Sequence, residues 1–367
     1  MEYLRVRSTA GERIVMRRHQ RLLPRQERIY PTPMDLRHRA ELVNARLAPS
    51  TQRSYFRAYT QLVHWYRRHR TDLDRHVMNP QQLDDEVSTY LTRMYHKYNN
   101  LGLSGLAYGN HTLYGLLHHQ PTLRKDQLPL CVRALEGWKT RKPHKSHPPV
   151  EWRVAVAMAV TMESNGHRDA AVATLLAWDC YLRVNELVKL KVRRVVAPGD
   201  PGYFDHPESQ TTPISGGWRT DRATQVCLRK TKTGMFHHVT IEDRRVEQVL
   251  AHHVRGKHPD SKVFNLDAKQ YCMLFRQAKN ALGMHNIPFT PHSLRHGGAT
   301  SNWKTYGAGS LPTVVMRGRW RSYASASLYI QQGPAMMAQY RAPDTARQLA
   351  ISYDNSSLVA FLTRPRR

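Results

Sequence analysis

Pro291-His292-Ser293-Leu294-Arg295-His296-Gly297-Gly298 is the stretch on which the reading of this chain turns. His292 and Arg295 are three residues apart, so on a helix an imidazole and a guanidinium share one face. Working outward, Trp320 stands 25 residues after Arg295, and Tyr329 nine residues after Trp320. Upstream, Arg183 lies in Tyr181-Leu182-Arg183-Val184-Asn185-Glu186-Leu187, and Lys232 in Lys230-Thr231-Lys232-Thr233. Cationic and hydrogen-bonding groups thus precede a tyrosine in a fixed order. Splitting a phosphodiester by tyrosine attack needs a nucleophile, guanidiniums against the non-bridging oxygens and a proton donor for the leaving 5′-hydroxyl. The set predicts such a site, with no metal and no cofactor required.

The charge balance agrees. Lys and Arg number 56 against 28 Asp and Glu, a net charge of +28, and the pI is near 10.4. That balance predicts a polyanionic partner, which together with the tyrosine site above is expected to be double-stranded DNA. A basic membrane-surface protein is the competing class. Against it, the longest apolar stretch, Val154 to Val160, is too short to span a bilayer, and the N-terminus is charged where a signal peptide needs an apolar core. The expectation is an intracellular protein without a membrane partner, nuclear in a eukaryote and otherwise in the cytoplasm or nucleoid. Cys131, Cys180, Cys227 and Cys272 form no C-x-x-C pair, so all four are read as packed thiols.

At 367 residues the chain is long enough for two domains. Between Lys139 and Pro149 it carries Lys139, Arg141, Lys142 and Lys145 with three prolines, a basic linker that interrupts helix. Ahead of it, apolar residues at helical spacing predict four short helices: Tyr55, Tyr59, Leu62, Val63 and Tyr66, capped by Ser50 or Thr51; Val87, Tyr90, Leu91 and Met94; Leu106, Leu113, Leu116 and Leu117; Val132, Leu135 and Trp138. Behind it, Val154 to Met162 and Ala170 to Ala177 read as helices, and Arg183 opens another. Val226 and Leu228, then Val239 and Ile241, alternate around Lys232-Thr233-Gly234 and predict a hairpin. Residues 200–220 read as an inserted loop. The expected fold is mainly α with a small β-sheet. Its expected parts are a basic, mobile arm (1–35), a helical DNA clamp (36–143), the end of the linker (144–149), a mixed α/β catalytic domain (150–345) and a tail (346–367) able to dock on a neighbouring copy. Arg53, Arg57, Lys139, Arg141, Lys142 and Lys145 are the expected DNA contacts, the last four as a strap across phosphates; the alternative for them is a solvated spacer.

H-x-x-R also occurs at His64 to Arg67 and at His252 to Arg255, where it reads as a solvated helix face. The order of the whole ensemble carries the inference. That ensemble resembles the tyrosine recombinases, which include phage integrases, Cre-type resolvases and the integrases of DIRS-like and Crypton-like mobile elements. The wording Ser-Leu-Arg-His-Gly-Gly-Ala-Thr followed by Arg-Gly-Arg-Trp-x-Ser is most similar to the mobile-element branch. The Ser50-Thr51-x-x-x-Tyr55 helix with Trp65 is similar to the family's helical core-binding domain.

The resemblance implies Tyr329 as nucleophile, Arg183 and Arg295 as phosphate clamp, Lys232 as general acid, and His292 and Trp320 completing the pocket. It implies that Glu186 orients the clamp, and that a homotetramer joins two DNA sites by a 3′-phosphotyrosyl intermediate. The outcome would be site-specific recombination or integration of a mobile element. Alternatives stay open at single positions: Lys230 for Lys232, Tyr323 or Tyr340 for Tyr329, plain core packing for Trp320, and an ordinary helical ion pair for Glu186. Two other functions remain as alternatives. A type IB topoisomerase usually carries lysine where His292 stands and histidine where Trp320 stands. A DNA-binding descendant without catalysis would be expected to lose Tyr329 or an arginine.

Overall fold

Leu62, Tyr66, Leu83, Val87, Leu91, Leu113 and Leu116 recur at helical spacing and are the buried stripes that hold the first unit together. The computed structural model describes residues 6–7, 13–14, 34, 41–69, 73, 79–143, 147–197, 223–231, 234–353 and 356–365. The chain divides into two compact units, Met1–His144 and Lys145–Arg367. The described residues are mainly helical, and a small three-stranded antiparallel sheet lies in the second unit.

The first unit contains α1 (Pro49–Arg68), α2 (Pro80–Asn100), α3 (Leu106–His119) and α4 (Pro129–Arg141). Pro49, Pro80 and Pro129 each occupy a first turn, where the missing N–H costs nothing. At the start of α4, buried Asp84 accepts from the free N–H groups of Leu130 at 2.7 Å and Cys131 at 2.9 Å. Two expectations need correcting. Ser50 and Thr51 lie inside α1, whose cap is Ala48 without a side-chain bond, because Pro49 takes the first turn. The helices are also not all short: α1 has 20 residues and α2 has 21. The basic linker begins later than expected, since Lys139 and Arg141 form the last turn of α4 and only Pro143 stops helix continuation. In the N-terminal arm, where no fold was expected, Val6–Arg7 pairs with Arg13–Ile14 as a short antiparallel ladder.

The second unit is built around α5 (Trp152–Ser164) and α6 (Arg168–Asp179). Every residue from Val154 to Val160 is buried, so the longest apolar run of the chain is a core helix. Among the described residues no helix is long and apolar enough to cross a membrane. After the one-turn helix α7 (Val184–Leu187) come β1 (Val195–Val196), β2 (Gln225–Thr231) and β3 (Gly234–Thr240). They pair in the order β1-β2-β3, with Val226 opposite Val239 and both buried. The inserted loop expected at 200–220 lies outside the described residues.

Helices α8 (Arg244–Val254), α9 (Ala268–Ala281), α10 (Pro291–Tyr306), α11 (Leu311–Gly318), α12 (Tyr323–Ser327) and α13 (Gln332–Arg341) follow. On α9 the helical period turns Tyr271, Leu274, Phe275 and Ala278 inward and Cys272 outward. Cys272 is therefore exposed, correcting the expectation of four packed thiols; the other three cysteines are buried. The residues read as a tail, 346–367, take in all but the first two residues of α14 (Asp344–Ser352) and all of α15 (Ser356–Thr363), whose Ala346, Ala350, Leu358 and Leu362 join this unit's own core.

Helix α10 threads this core because Gly297 and Gly298 let it approach closely. A Cβ on Gly297 would lie 1.8 Å from the Val150 carbonyl oxygen, and one on Gly298 would lie 2.2 Å from that of Trp178. The Val150 oxygen is held in place by the Trp178 indole N–H at 2.8 Å, so it cannot yield cheaply. Gly297→Ala is therefore expected to destabilise the chain by about 1–3 kcal/mol in urea unfolding. Gly309→Ala, with open space around it, should stay within about 0.5 kcal/mol. Equal midpoints for the two variants would contradict the packing account.

Candidate active site

Arg183 caps α7 from an extended backbone, and Glu186 folds back from the helix to hold it. One carboxylate oxygen of Glu186 accepts from the Arg183 backbone N–H at 2.9 Å, and the other accepts from Arg183 Nη1 at 2.8 Å. Burial raises the Glu186 pKa, but the Arg319 guanidinium and the hydrogen bonds from Arg183 outweigh it and hold the carboxyl below its usual range.

Arg295, on the second turn of α10, is 0% exposed. Its Nη1 donates to the Tyr181 carbonyl and its Nη2 to the Gly318 carbonyl; its Nε–H is buried without a partner in the structure. Its Cζ lies 4.5 Å from the centre of the Trp320 ring and 5.3 Å from that of Tyr329. Among the described residues no carboxylate pairs with it. Burial, then the charges of Arg183 and Arg319, lowers its pKa to about 9, which leaves it charged at neutral pH.

Trp320 follows the end of α11, where Gly318 leaves room for its ring; a Cβ there would lie 1.7 Å from the indole. The indole packs with Tyr181, Val314 and Ala326, yet its Nε1–H is buried with no partner in the structure. It is core and, at the same time, a waiting donor. Tyr329 sits half-buried in the turn after α12, and that turn is tied to α10 by Thr300, whose hydroxyl donates to the Tyr329 carbonyl at 3.0 Å and accepts from Gln331 N–H at 3.1 Å. The Tyr329 ring stacks on His296 at 4.4 Å, meets Trp320 at 4.6 Å and stands edge-on to His292 at 5.5 Å.

Arg183, Glu186, His292, Arg295, Trp320 and Tyr329 are thus brought to one place. Lys232 and the Lys230 side chain lie outside the described residues; the Lys230 backbone pairs with Met235 across the hairpin. Tyr323 is exposed on α12, and the Tyr340 side chain is likewise outside the described residues. Arg53 and Arg57 are exposed one turn apart on α1; Lys139 and Arg141 are exposed, Lys142 is partly so, and Lys145 is outside the described residues.

Sequence reasoning missed His147, His296, Arg317 and Arg319. His296 and the two arginines lie inside motifs already singled out, so their neighbours were the available signal. His147 meets His292 at 5.8 Å and His296 at 6.5 Å, a tertiary approach with no mark in the sequence.

No protein-family model matches the chain, and no curated protein does. Among solved structures it is similar to a XerA recombinase, at 16% identity and a TM-score of 0.37 over 79% of this chain and 99% of that one. It is also similar to a lambda integrase dimer bound to a COC′ core site, at 14% identity and 0.44 over 66% and 64%. XerH site-specific recombinase bound to difH substrate matches at 13% and 0.37 over 63% and 69%. Scores this low carry no weight for function, which has to come from the residues themselves.

His296 supplies a pH test of the site. Burial, together with His292, His147 and Arg295 around it, pushes its pKa down to about 3. In the unfolded chain it would titrate near about 6.5, so below that pH the unfolded state binds a proton the folded state refuses. Stability should fall from pH 6.5 toward pH 3, by up to about 1.4 kcal/mol per pH unit from this group. His296→Phe keeps a stacking ring and removes the titration, so its stability relative to the natural chain should improve from pH 7 to pH 5 in urea unfolding. Parallel pH profiles would refute the assignment.

Proposed function

We propose that this chain cleaves and rejoins DNA strands through a 3′-phosphotyrosyl intermediate on Tyr329, carrying out site-specific recombination or integration of a mobile element. The observation that carries the proposal is Arg295, a buried cation that meets two carbonyls and two ring faces but no described carboxylate. Burying a charge is costly unless it is paired. An anion that completes the site would offset that cost, and the unpartnered N–H groups of Arg295 and Trp320 are donors suited to its oxygens. A phosphodiester fits this demand, and the tyrosine that would attack it lies against both groups.

In this reading the Tyr329 hydroxyl attacks phosphorus and the 5′-oxygen of the next nucleotide leaves. His292, edge-on to Tyr329, takes part in moving the phenolic proton, and Lys232 gives a proton to the leaving oxygen. Arg183, Arg295 and Trp320 bind the non-bridging oxygens, whose negative charge grows toward the transition state. Losing one such donor costs about 3–4 kcal/mol of activation free energy. The rings of Trp320 and Tyr329 cover Arg295 in this state, so the Tyr329 turn has to move before a phosphate reaches the guanidinium. The phosphotyrosyl bond conserves the energy of the broken one, so a second 5′-hydroxyl can reverse the step without ATP. Double-stranded DNA as partner and four copies on two sites follow from the resemblance to tyrosine recombinases. Arg53, Arg57 and the basic residues 139–145 are assigned to phosphate contacts outside the active site.

Incubated with a library of nicked duplexes of randomised sequence, the protein is expected to yield a covalent adduct that survives a denaturing gel. Tyr329→Phe should abolish the adduct and leave DNA affinity within about threefold, since only the nucleophilic oxygen is lost. An adduct formed by the phenylalanine variant would show that another residue attacks.

A further inference from the structure

Arg319 stands in Arg317-Gly318-Arg319-Trp320 with a left-handed backbone, φ +56°, at the C-terminal end of α11. Glycine is the usual residue for that conformation. Here the glycine comes one position earlier, where the Trp320 ring needs the space, and an arginine takes the strained place. Its side chain is 1% exposed. Nη2 donates to Glu186 Oε2 at 2.9 Å and to the Tyr181 carbonyl at 3.1 Å, while Nη1 donates to the carbonyls of Cys180 at 3.4 Å and Arg317 at 3.2 Å. All four terminal N–H groups are thereby committed to the protein, which separates Arg319 from Arg295, whose guanidinium makes two such bonds among the described residues.

Two of those acceptors are shared with the clamp. The Glu186 oxygen that takes Arg319 also takes the Arg183 backbone N–H, and the other oxygen of the same carboxylate holds Arg183 Nη1. The Tyr181 carbonyl that takes Arg319 also takes Arg295, and Tyr181 itself has a left-handed backbone, φ +50°.

We propose that Arg319 is a positioning residue that links both phosphate-clamp arginines, fixing Arg183 through Glu186 and Arg295 through the Tyr181 carbonyl. It touches no substrate. The proposal rests on the strand-cleavage reading above and adds to it the device that sets the clamp's geometry. Neighbouring Arg317 does not share this role, because it is paired with Asp179 at 3.3 Å and Glu242 at 2.9 Å and meets neither clamp arginine.

The test uses a nicked duplex selected by covalent capture with the natural chain, made in two forms. One has the ordinary phosphodiester at the scissile position; the other has a methylphosphonate, in which a neutral methyl replaces one non-bridging oxygen. Arg319→Met should slow cleavage of the ordinary DNA by about 10²-fold, as loss of one oriented donor does. DNA affinity should stay within about threefold. The Arg183→Ala, Arg319→Met double variant should be slower than Arg183→Ala alone by less than the full Arg319→Met factor, because the part of the defect that passes through Arg183 is already lost and only the part through Arg295 remains. On methylphosphonate, with less charge to neutralise, the Arg319→Met and Arg183→Ala defects should shrink together. Arg319→Met at the natural rate would overturn the proposal, and so would a defect of full size on methylphosphonate or one that multiplies in full with Arg183→Ala. Should Arg319→Met fail to fold, Arg319→Gly, which suits the left-handed backbone at that position, removes the same guanidinium, and the same outcomes apply to it. A natural chain that forms no adduct with any duplex would overturn the strand-cleavage reading and this proposal with it, whereas failure of Arg319 alone leaves that adduct intact.

Discussion

The second unit is organised around a guanidinium that is fully buried with no carboxylate partner among the described residues. Arg295 keeps its charge because two backbone carbonyls and two aromatic faces surround it, and those four contacts dictate much of what lies nearby. The Tyr181 carbonyl is aimed by a left-handed tyrosine. The Gly318 carbonyl comes from the end of α11, and the Trp320 ring lies over the guanidinium only because Gly318 has no side chain. Gly298 brings α10 against the Tyr181 ring. Remove any of these and the charge loses part of its solvation.

The neighbouring charges divide into two groups with different physics. Arg317 is matched by Asp179 and Glu242, and it also donates to the carbonyls of Asp179 and Thr240. It joins α6, α11 and the end of β3, and breaking a buried pair of this kind costs about 3–5 kcal/mol. Arg183 and Arg319 share the carboxylate of Glu186, and beside them Arg295 has no carboxylate partner among the described residues. That excess of positive charge is met in the folded chain by backbone carbonyls and ring faces, and under the proposed function it is what an incoming phosphate would relieve.

Much of this site could be read in the sequence, for local reasons. His292 and Arg295 share a helix start, Arg183 and Glu186 a one-turn helix, and Trp320 and Tyr329 a short turn-rich segment, so residue spacing alone set their geometry. The small hairpin was legible from alternation on both sides of its turn, since Val226 and Val239 fill one face of a half-buried sheet. What escaped was tertiary. Nothing about His147 marks its approach to His292 and His296, and no rule assigns a tyrosine or an arginine to the left-handed backbone of positions 181 and 319. Helix starts misled for a different reason: Ser50 and Thr51 are good caps, but Pro49 had already taken the first turn. The burial of Leu358 and Leu362 in the core was hidden because α15 is too short for its periodicity to stand out.

The most direct test of the account is a mass spectrum of the peptide left on nicked DNA after the adduct is digested with protease and nuclease. The account requires a peptide containing Tyr329, modified on its phenolic oxygen by a nucleotide joined through its 3′-phosphate. Modification at Tyr323, Tyr340 or a serine, or a link through a 5′-phosphate, would contradict it.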